Sequence, residues 1–312
     1  GILLDLKMLV DEKRMPPIDR WAVQNDLFSL CVSGDEQVRN YLDFSDAYFD
    51  EDSYLASVNV AHNLASLYFR AFDEPFVEEI KSYAVNYFRK ILSNLGWEPK
   101  KSDKHTDALL RTFAIAVLGK MNDDSVTDEA IRKYKKFLKS PRSLSPDLIE
   151  TICSIAAWNG NSKTFAELKK LYTNAKTMEE KLRFLGAMCG FQDKKLLIKT
   201  LDFSQTAAVR SQNMQLPIMK IAGNPYGDKV LWSWLKKNWK KINKKVGHGN
   251  PLFNRIVASI TGVADDSMEK EIKLFFKNNP TPGTERTQSQ TLERIRINSK
   301  FLRTMRKEFK NG

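Results

Sequence analysis

Apolar residues recur along this 312-residue chain at intervals of three and four positions, and runs that alternate apolar and polar residues are lacking. A period of about 3.6 residues puts apolar side chains on one face of an α-helix, so the pattern predicts helices almost throughout. The predicted helices cover residues 2–12, 18–33, 35–46, 53–72, 75–95, 103–121, 125–139, 145–159, 161–174, 177–189, 193–203, 207–222, 228–246, 250–263, 266–278 and 284–310. The sequence therefore predicts an all-α fold.

The spacing of these helices indicates a repeated architecture. Alternate helices begin roughly 38 residues apart, within the range of paired-helix solenoids of the HEAT and armadillo type. No sequence motif repeats from pair to pair, so a compact bundle is the alternative. The stretches between helices are too short to be clear domain linkers. We therefore expect one domain over residues 1–312, a superhelical stack of about eight helix pairs.

The run WSWLKKNWKKINKK, residues 232–245, combines three tryptophans with six lysines. Such a mixture is typical either of a nucleic-acid-binding strip or of a helix with one buried face. On a helix over residues 228–246, one continuous apolar stripe is formed by Leu231, Leu235, Trp239, Ile242 and Val246. Because the lysines fall largely outside this stripe, we expect the tryptophans in the core and the lysines in solvent.

The net charge of +12 is unevenly distributed. Residues 1–150 carry 20 Lys and Arg against 25 Asp and Glu, whereas residues 151–312 carry 30 against 13. Such asymmetry steers anionic partners without identifying them. One functional hypothesis is therefore an α-solenoid scaffold that binds nucleic acid or an acidic protein through its basic half, with an affinity that falls steeply with salt.

Cysteine usage and the start of the chain bear on its cellular context. Cys31, Cys153 and Cys189 are odd in number and far apart, which predicts three reduced, mostly buried thiols and a cytoplasmic location. No apolar run approaches the roughly 18 residues of a membrane span, so no membrane partner is expected. The start GILLDLKMLVDEK lacks an initiator methionine and is already helical in pattern, so we expect a piece of a longer protein.

The sequence offers no recognisable catalytic set. His62, His105 and His248 are isolated, and none has a second histidine four positions on, as the zinc motif H-E-x-x-H requires. Neither a glycine-rich phosphate loop nor a cysteine–histidine pair is indicated by spacing. We expect no metal, no cofactor and no catalytic residue in this chain.

Residues 209–227, VRSQNMQLPIMKIAGNPYG, place polar groups and a proline in a helical run. Pro217 cannot donate a backbone hydrogen bond, so a kink is expected within the helix. Arg210 then lies with Gln212 and Asn213 at a bent helix start. We expect Gln212 and Asn213 to form a structural polar cluster between helices, with the wall of a cavity as the alternative.

Three motifs resemble the C-terminal domain of the zinc aminopeptidases related to aminopeptidase N and the endoplasmic-reticulum aminopeptidases. They are IDRWAVQNDLFSL at residues 18–30, VRSQN…GNPYG…LWSWLKKNW at 209–239 and TLERIRINSKFLRTMRKEF at 291–309. The motifs occur in the family's order and span nearly the whole chain. The short loops and basic, disulfide-free composition look most like the archaeal tricorn-interacting factors, cytosolic aminopeptidases that trim peptides released by the proteasome and tricorn protease.

The resemblance implies a HEAT-like superhelical domain that caps the active-site chamber of a separate, thermolysin-like catalytic domain, where zinc is expected. That catalytic domain, peptide substrates and tricorn protease are the implied partners, and nucleic acid becomes an unlikely one. The chain's implied role is to restrict substrate access and to help bind the C-terminal side of the peptide. Neither H-E-x-x-H nor the exopeptidase motif G-x-M-E-N occurs in this chain, so we expect no peptidase activity from it alone.

A peptide ends in a carboxylate, which the forked guanidinium of arginine binds better than a lysine ammonium. The candidates for this contact are Arg210, Arg255, Arg294 and Arg296, with Tyr68 and Arg70 on the helix over residues 53–72. The candidates for contact with the catalytic domain or the chamber mouth are Asp19, Arg20, Asn25 and Asp26, in the opening motif. A surface or inter-helix ion pair is the alternative role for each candidate of the first group.

Overall fold

The computed structural model describes residues 1–247, 250–263 and 265–310. Within these ranges the chain forms sixteen α-helices and six 3-10 turns and contains no β-strand, which confirms the predicted all-α class. The helices are α1 Ile2–Asp11, α2 Pro17–Ser33, α3 Val38–Ser45, α4 Tyr54–Arg70, α5 Val77–Leu95, α6 His105–Lys120, α7 Asp124–Lys139, α8 Pro146–Trp158, α9 Ser162–Asn174, α10 Met178–Ala187, α11 Lys194–Ser204, α12 Gln215–Ala222, α13 Asp228–Val246, α14 Pro251–Ser259, α15 Glu269–Asn278 and α16 Glu285–Lys310.

The helices group into two compact units. Unit 1 comprises residues 1–128 together with the chain from residue 300 onwards, and unit 2 comprises residues 129–299. Helices α7 and α16 therefore each contribute residues to both units. Each unit has its own apolar core.

In unit 1 the helices of even number lie side by side. Helix α4 packs against both α2 and α6, while α3 packs on α2 and α5 packs on α4 and α6. The ring of His62 on α4 lies 4.4 Å from that of Phe113 on α6, and seven residues further along both helices Phe69 meets Lys120 at 5.5 Å. The two helices therefore run parallel, as equivalent helices of neighbouring repeats do in solenoids.

Unit 2 shows the same alternation. Helices α8, α10, α12 and α14 follow one another in contact, and we call them, with residues 285–299 of α16, the even layer. The odd layer consists of α9, α11, α13 and α15: the ring of Tyr172 on α9 meets Phe203 on α11 at 5.2 Å, α11 packs on α13, and Trp232 on α13 meets Phe275 on α15 at 5.1 Å. Two layers of helices thus enclose the core of this unit.

The predicted apolar stripe of α13 is confirmed. Trp232, Trp234 and Trp239 are only 4%, 5% and 2% exposed. Trp239 sits in a cluster of rings with centroids 5.2–5.7 Å away, formed by Phe253, Phe275 and Phe276. The indole N–H of Trp234 donates to Asp202 at 2.8 Å, and that of Trp232 donates to Glu271 at 3.0 Å. The tryptophans are core residues, so their ring faces are not available for stacking with bases.

The start of α12 differs from the prediction. The apolar pattern predicts a helix from residue 207, but α12 begins at Gln215, after a 3-10 turn over Ser211–Asn213. Pro217 is therefore in the first turn of α12, where backbone N–H groups have no acceptor within the helix. The expected kink inside the helix is wrong, because the helical path begins only just before the proline.

The last turns of α16 close unit 1 by capping α3. The carboxylate of Glu308 accepts hydrogen bonds from the backbone N–H groups of Val38 and Arg39, both at 2.9 Å. These are the first two N–H groups of α3, which have no acceptor within the helix and which favour a negative charge nearby. One side chain near the end of the chain thus fixes the start of a helix near its beginning.

We expect Glu308→Gln to destabilise unit 1 by about 1 kcal/mol, because the amide carries no charge and only one of its two terminal atoms can accept a hydrogen bond. The measurement is the free energy of unfolding in urea, with amide hydrogen exchange at Val38 and Arg39, which should become faster. Glu78→Gln is the matched control, since Glu78 is 76% exposed on α5. Unchanged exchange at both amides would show that Glu308 is not the cap.

Candidate functional site

Unit 1 contains eight arginines, and they differ in how their charge is balanced. Six of them form an ion pair with an aspartate or glutamate: Arg14, Arg20, Arg39, Arg89, Arg111 and Arg306. Arg303 also interacts with neighbouring groups. Arg70 is the remaining one, and within the described part of the chain no carboxylate lies within salt-bridge distance of it.

Arg70 ends α4 and is half-buried. Its guanidinium carbon lies over the ring of Phe301, 5.5 Å from the centroid, and its Nε is buried without a hydrogen-bond partner among the described atoms. Burial lowers the pKa of Arg70, but arginine starts so high that the group stays charged at neutral pH. A cation that is partly shielded from water and has an unused N–H is well suited to bind an anion.

Tyr68, two residues before Arg70, belongs to the core. It is 4% exposed, and its ring packs edge-on against Phe69 and Phe72 at 5.1 and 5.9 Å. Phe69 is half-buried, and the Nζ of Lys120 lies over its ring, 5.5 Å from the centroid. Tyr68 therefore packs beneath Phe69, the residue before Arg70, while Arg70 itself reaches the surface.

The four predicted arginines of unit 2 fall into two groups. Arg296 donates from Nε and Nη2 to the two carboxylate oxygens of Glu269, at 2.8 and 2.5 Å, and this pair lowers the pKa of Glu269 to about 2. Arg210, before α12, Arg255 on α14 and Arg294 on α16 are exposed. Among the described residues none of these three is paired with a carboxylate. Their guanidinium groups are therefore available to an external anion.

The two layers of unit 2 differ in their cations, although the even layer also contains Lys181 and Lys220. The four helices of the odd layer contain sixteen lysines and no arginine, whereas α14 and residues 285–299 of α16 contain four arginines and no lysine. Lysine is a compact and strongly hydrated charge, while the planar arginine fork matches a carboxylate. The odd layer thus presents a solvated basic face, and the even layer carries the groups suited to specific anion recognition.

Gln212 and Asn213 lie in the 3-10 turn before α12. Asn213 donates to the thioether sulfur of Met178 on α10 at 3.1 Å, and the side chain of Gln215 donates to the backbone carbonyl of Gln212 at 3.3 Å. The side chain of Gln212 is exposed. Of the two predicted cluster residues, only Asn213 is seen to contact another helix through its side chain.

Arg20, predicted to contact the catalytic domain, is instead tied into unit 1. It is 3% exposed, and it donates to both carboxylate oxygens of Glu51 at 2.6 and 2.7 Å. Two more hydrogen bonds go to Asp52 at 2.9 Å and to the carbonyl of Met15 at 2.7 Å. The bond with Glu51 is the main cause of a raised pKa of Arg20. This arrangement fastens the start of α2 to the segment before α4.

The other candidates on the opening helix are accessible. Asp19 and Asp26 are exposed, and Asn25 is half-buried. Helix α1, which sequence reasoning did not single out, exposes large aliphatic side chains: Ile2, Leu4 and Met8 are 81%, 60% and 53% exposed. The signal was present, because apolar residues of GILLDLKMLV occupy more than one helical face and a single packed face cannot bury them all.

The three histidines, the three cysteines and the acidic side chains are the groups that could hold zinc. Over residues 1–247, 250–263 and 265–310 no three His, Cys, Asp or Glu side chains are arranged to hold a metal. The ring of His62 packs at an angle of 32° against that of Phe113, His105 begins α6, and His248 lies outside the described residues. In the same ranges no helix has the length and apolar character needed to cross a membrane.

Comparison with known proteins identifies relatives along most of the chain. Residues 3–297 match the family described as the ERAP1-like C-terminal domain. The chain is 26% identical over 314 residues to Aminopeptidase M1-A of Oryza sativa subsp. japonica, a match that covers 98% of this chain and 35% of that protein. It is 25% identical over 314 residues to Aminopeptidase M1 of Arabidopsis thaliana, covering 97% and 35%. It is 25% identical over 291 residues to the mitochondrial Aminopeptidase 2 of Saccharomyces cerevisiae, covering 91% and 30%.

The chain thus spans about a third of the length of the curated relatives it matches. All three are named as aminopeptidases, and the similarity covers only one part of each.

We expect Arg20→Lys to destabilise unit 1 by about 3 kcal/mol, because an ammonium cannot bind both oxygens of Glu51 and leaves a buried carboxylate underpaired. The measurement is the free energy of unfolding in urea. Arg132→Lys is the control, since Arg132 makes a similar forked bond to Glu129 but its side chain is 63% exposed, and about 0.5 kcal/mol is expected there. Equal effects of the two substitutions would contradict a structural role for Arg20.

Proposed function

This chain belongs to the ERAP1-like C-terminal domain family, and we propose that it is the non-catalytic domain that caps the active-site chamber of a zinc aminopeptidase. The match over residues 3–297 and the aminopeptidase names of its relatives support this proposal. The remaining two thirds or so of those relatives is room enough for a catalytic domain. In this role the helical wall limits which peptides reach the active site and holds the far end of those that do.

The proposed partner is the catalytic domain of the same protein. Ile2, Leu4 and Met8 of α1 leave aliphatic surface in water, which is typical of a contact surface. Asp19 and Asp26 are exposed acids on α2 and would add polar contacts. Arg20 is not proposed as a contact with the catalytic domain, because its guanidinium is bound to Glu51 inside unit 1.

Zinc belongs to the proposed catalytic domain, where it would polarise the scissile carbonyl and activate water. No donor set for it is found among the residues that the structure describes, and no hydrolytic step is assigned to any of them. The contribution of this chain is binding and exclusion. A substrate held at both ends reaches the active site in a restricted set of positions, which favours reaction.

The unpaired guanidinium of Arg70 is the observation that carries the peptide-binding part of the proposal. Among the described residues no carboxylate is paired with Arg70, so the C-terminal carboxylate of a peptide gains hydrogen bonds without breaking such an ion pair. Arg210, Arg255 and Arg294 offer similar groups in unit 2. Arg296 ranks below them, because it would have to leave Glu269 first.

The finer form of the proposal is a cytosolic, archaeal enzyme that trims peptides released by the proteasome or tricorn protease. Its support is the short connections between helices and the absence of disulfides among three buried thiols, Cys31, Cys153 and Cys189. A cytosolic peptidase works in a reducing compartment, which this thiol state suits.

We expect the 312-residue chain alone to hydrolyse no aminoacyl p-nitroanilide, and to bind the separately expressed remainder of its parent protein. The measurements are release of nitroaniline and co-elution in size-exclusion chromatography. Met8→Ser should weaken the complex, because it removes apolar area from α1, whereas Met219→Ser, on exposed surface of α12, serves as control. Chelator-sensitive hydrolysis by the chain alone would contradict the proposal.

We expect the chain to bind a peptide with a free C-terminal carboxylate about tenfold more tightly than the same peptide with a C-terminal amide. Arg70→Gln should abolish this difference, because the neutral amide of glutamine loses the charge-assisted bond. The measurement is fluorescence anisotropy of an N-terminally labelled nonapeptide. Arg296→Gln is the control and should keep the difference, since Arg296 is occupied by Glu269. A difference that survives Arg70→Gln would show that the carboxylate binds elsewhere.

A further inference from the structure

We infer that Phe301 is a positioning residue that holds Arg70 in place for a carboxylate, so that the last turns of α16 control the strength of this binding point. The inference rests on the proposed function, since it takes carboxylate binding by Arg70 as its premise. The inference adds Phe301 to the binding site, so that contacts of the last turns of α16 tune the affinity for a peptide.

The ring of Phe301 is itself fixed. Phe301 is 2% exposed, and Phe28 of α2 packs edge-on against it with centroids 6.4 Å apart and an interplanar angle of 84°. Phe28 in turn packs against Tyr41 of α3 at 5.0 Å. A ring held in this way offers Arg70 a face of constant position, and the negative face of an aromatic ring attracts a cation.

An aromatic ring restrains Arg70 differently from a carboxylate. Each of the six ion-paired arginines of unit 1 uses N–H groups to bind its acidic partner. The ring of Phe301 instead attracts the whole cation through its quadrupole and is a weak hydrogen-bond acceptor, so the N–H groups of Arg70 remain unused. Phe301 therefore lowers the entropy cost of ordering Arg70 without competing with an incoming carboxylate.

Three further contacts fasten this end of α16 to unit 1. Arg306 donates to both carboxylate oxygens of Glu74, at 2.9 and 2.6 Å, and Glu308 caps α3. Phe309 stacks on Phe76 with centroids 4.5 Å apart and an interplanar angle of 13°. The position of Phe301 thus depends on several contacts spread along residues 300–310 rather than on one neighbour.

The test compares the free-acid and amide nonapeptides on Phe301→Leu, which keeps an apolar side chain but removes the ring. We expect the affinity for the free-acid peptide to fall about three- to tenfold, with the amide peptide unaffected. Phe44→Leu is the matched control, because Phe44 is equally buried at 1% and packs on Tyr48. It should leave the preference for the free acid unchanged.

A second variant separates the ring's electrostatics from its packing, since Phe301→Leu also removes buried volume. Pentafluorophenylalanine at position 301 keeps the shape of the ring but reverses the polarity of its face, and should give a similar loss. Circular dichroism and urea midpoints confirm that each variant is folded. A preference for the free acid that persists in both variants, while Arg70→Gln abolishes it, overturns the role of Phe301 alone. A preference that persists in Arg70→Gln overturns carboxylate binding by Arg70, the part of the proposed function on which the inference rests.

Discussion

Most of the described helices bury an apolar stripe, and that constraint decides where charged side chains can lie. In the odd layer of unit 2 it places sixteen lysines on helices whose apolar faces are turned into the core. Helix α13 is the clearest case, because Trp239 is enclosed by rings while Lys240 and Lys241 beside it are exposed. The exposed charge of this layer follows from packing, and a basic composition alone does not identify a nucleic-acid partner.

The helical period was strong enough to predict all sixteen helices, since almost every one has a regular apolar stripe and a marked end. It failed at α12, because the polar turn at Ser211–Asn213 and the following Pro217 interrupt the helix in a way that apolar spacing does not show. The roles of the candidate site residues were harder to predict from the sequence. Arg20 and Arg70 look alike in sequence, but one meets Glu51 and the other meets Phe301 at the far end of the chain.

That difference between two arginines underlies the functional account. A guanidinium such as that of Arg20, held by the buried carboxylate of Glu51, stabilises the fold and has no N–H groups left to offer a ligand. Arg70 is partly withdrawn from water, remains charged and keeps an unused N–H. Sequence could name both as candidates, but only the distribution of carboxylates around them shows which can act as a recognition group.

The most direct test is the ¹H–¹⁵N resonance of the Nε–H of Arg70, assigned by its disappearance in Arg70→Lys. We predict that a peptide with a free C-terminal carboxylate shifts this resonance, because the carboxylate binds the Nη groups of the same guanidinium while the Nε–H itself is buried. The same peptide with a C-terminal amide should leave it unchanged. A resonance that stays in place while the free-acid peptide binds would contradict the account.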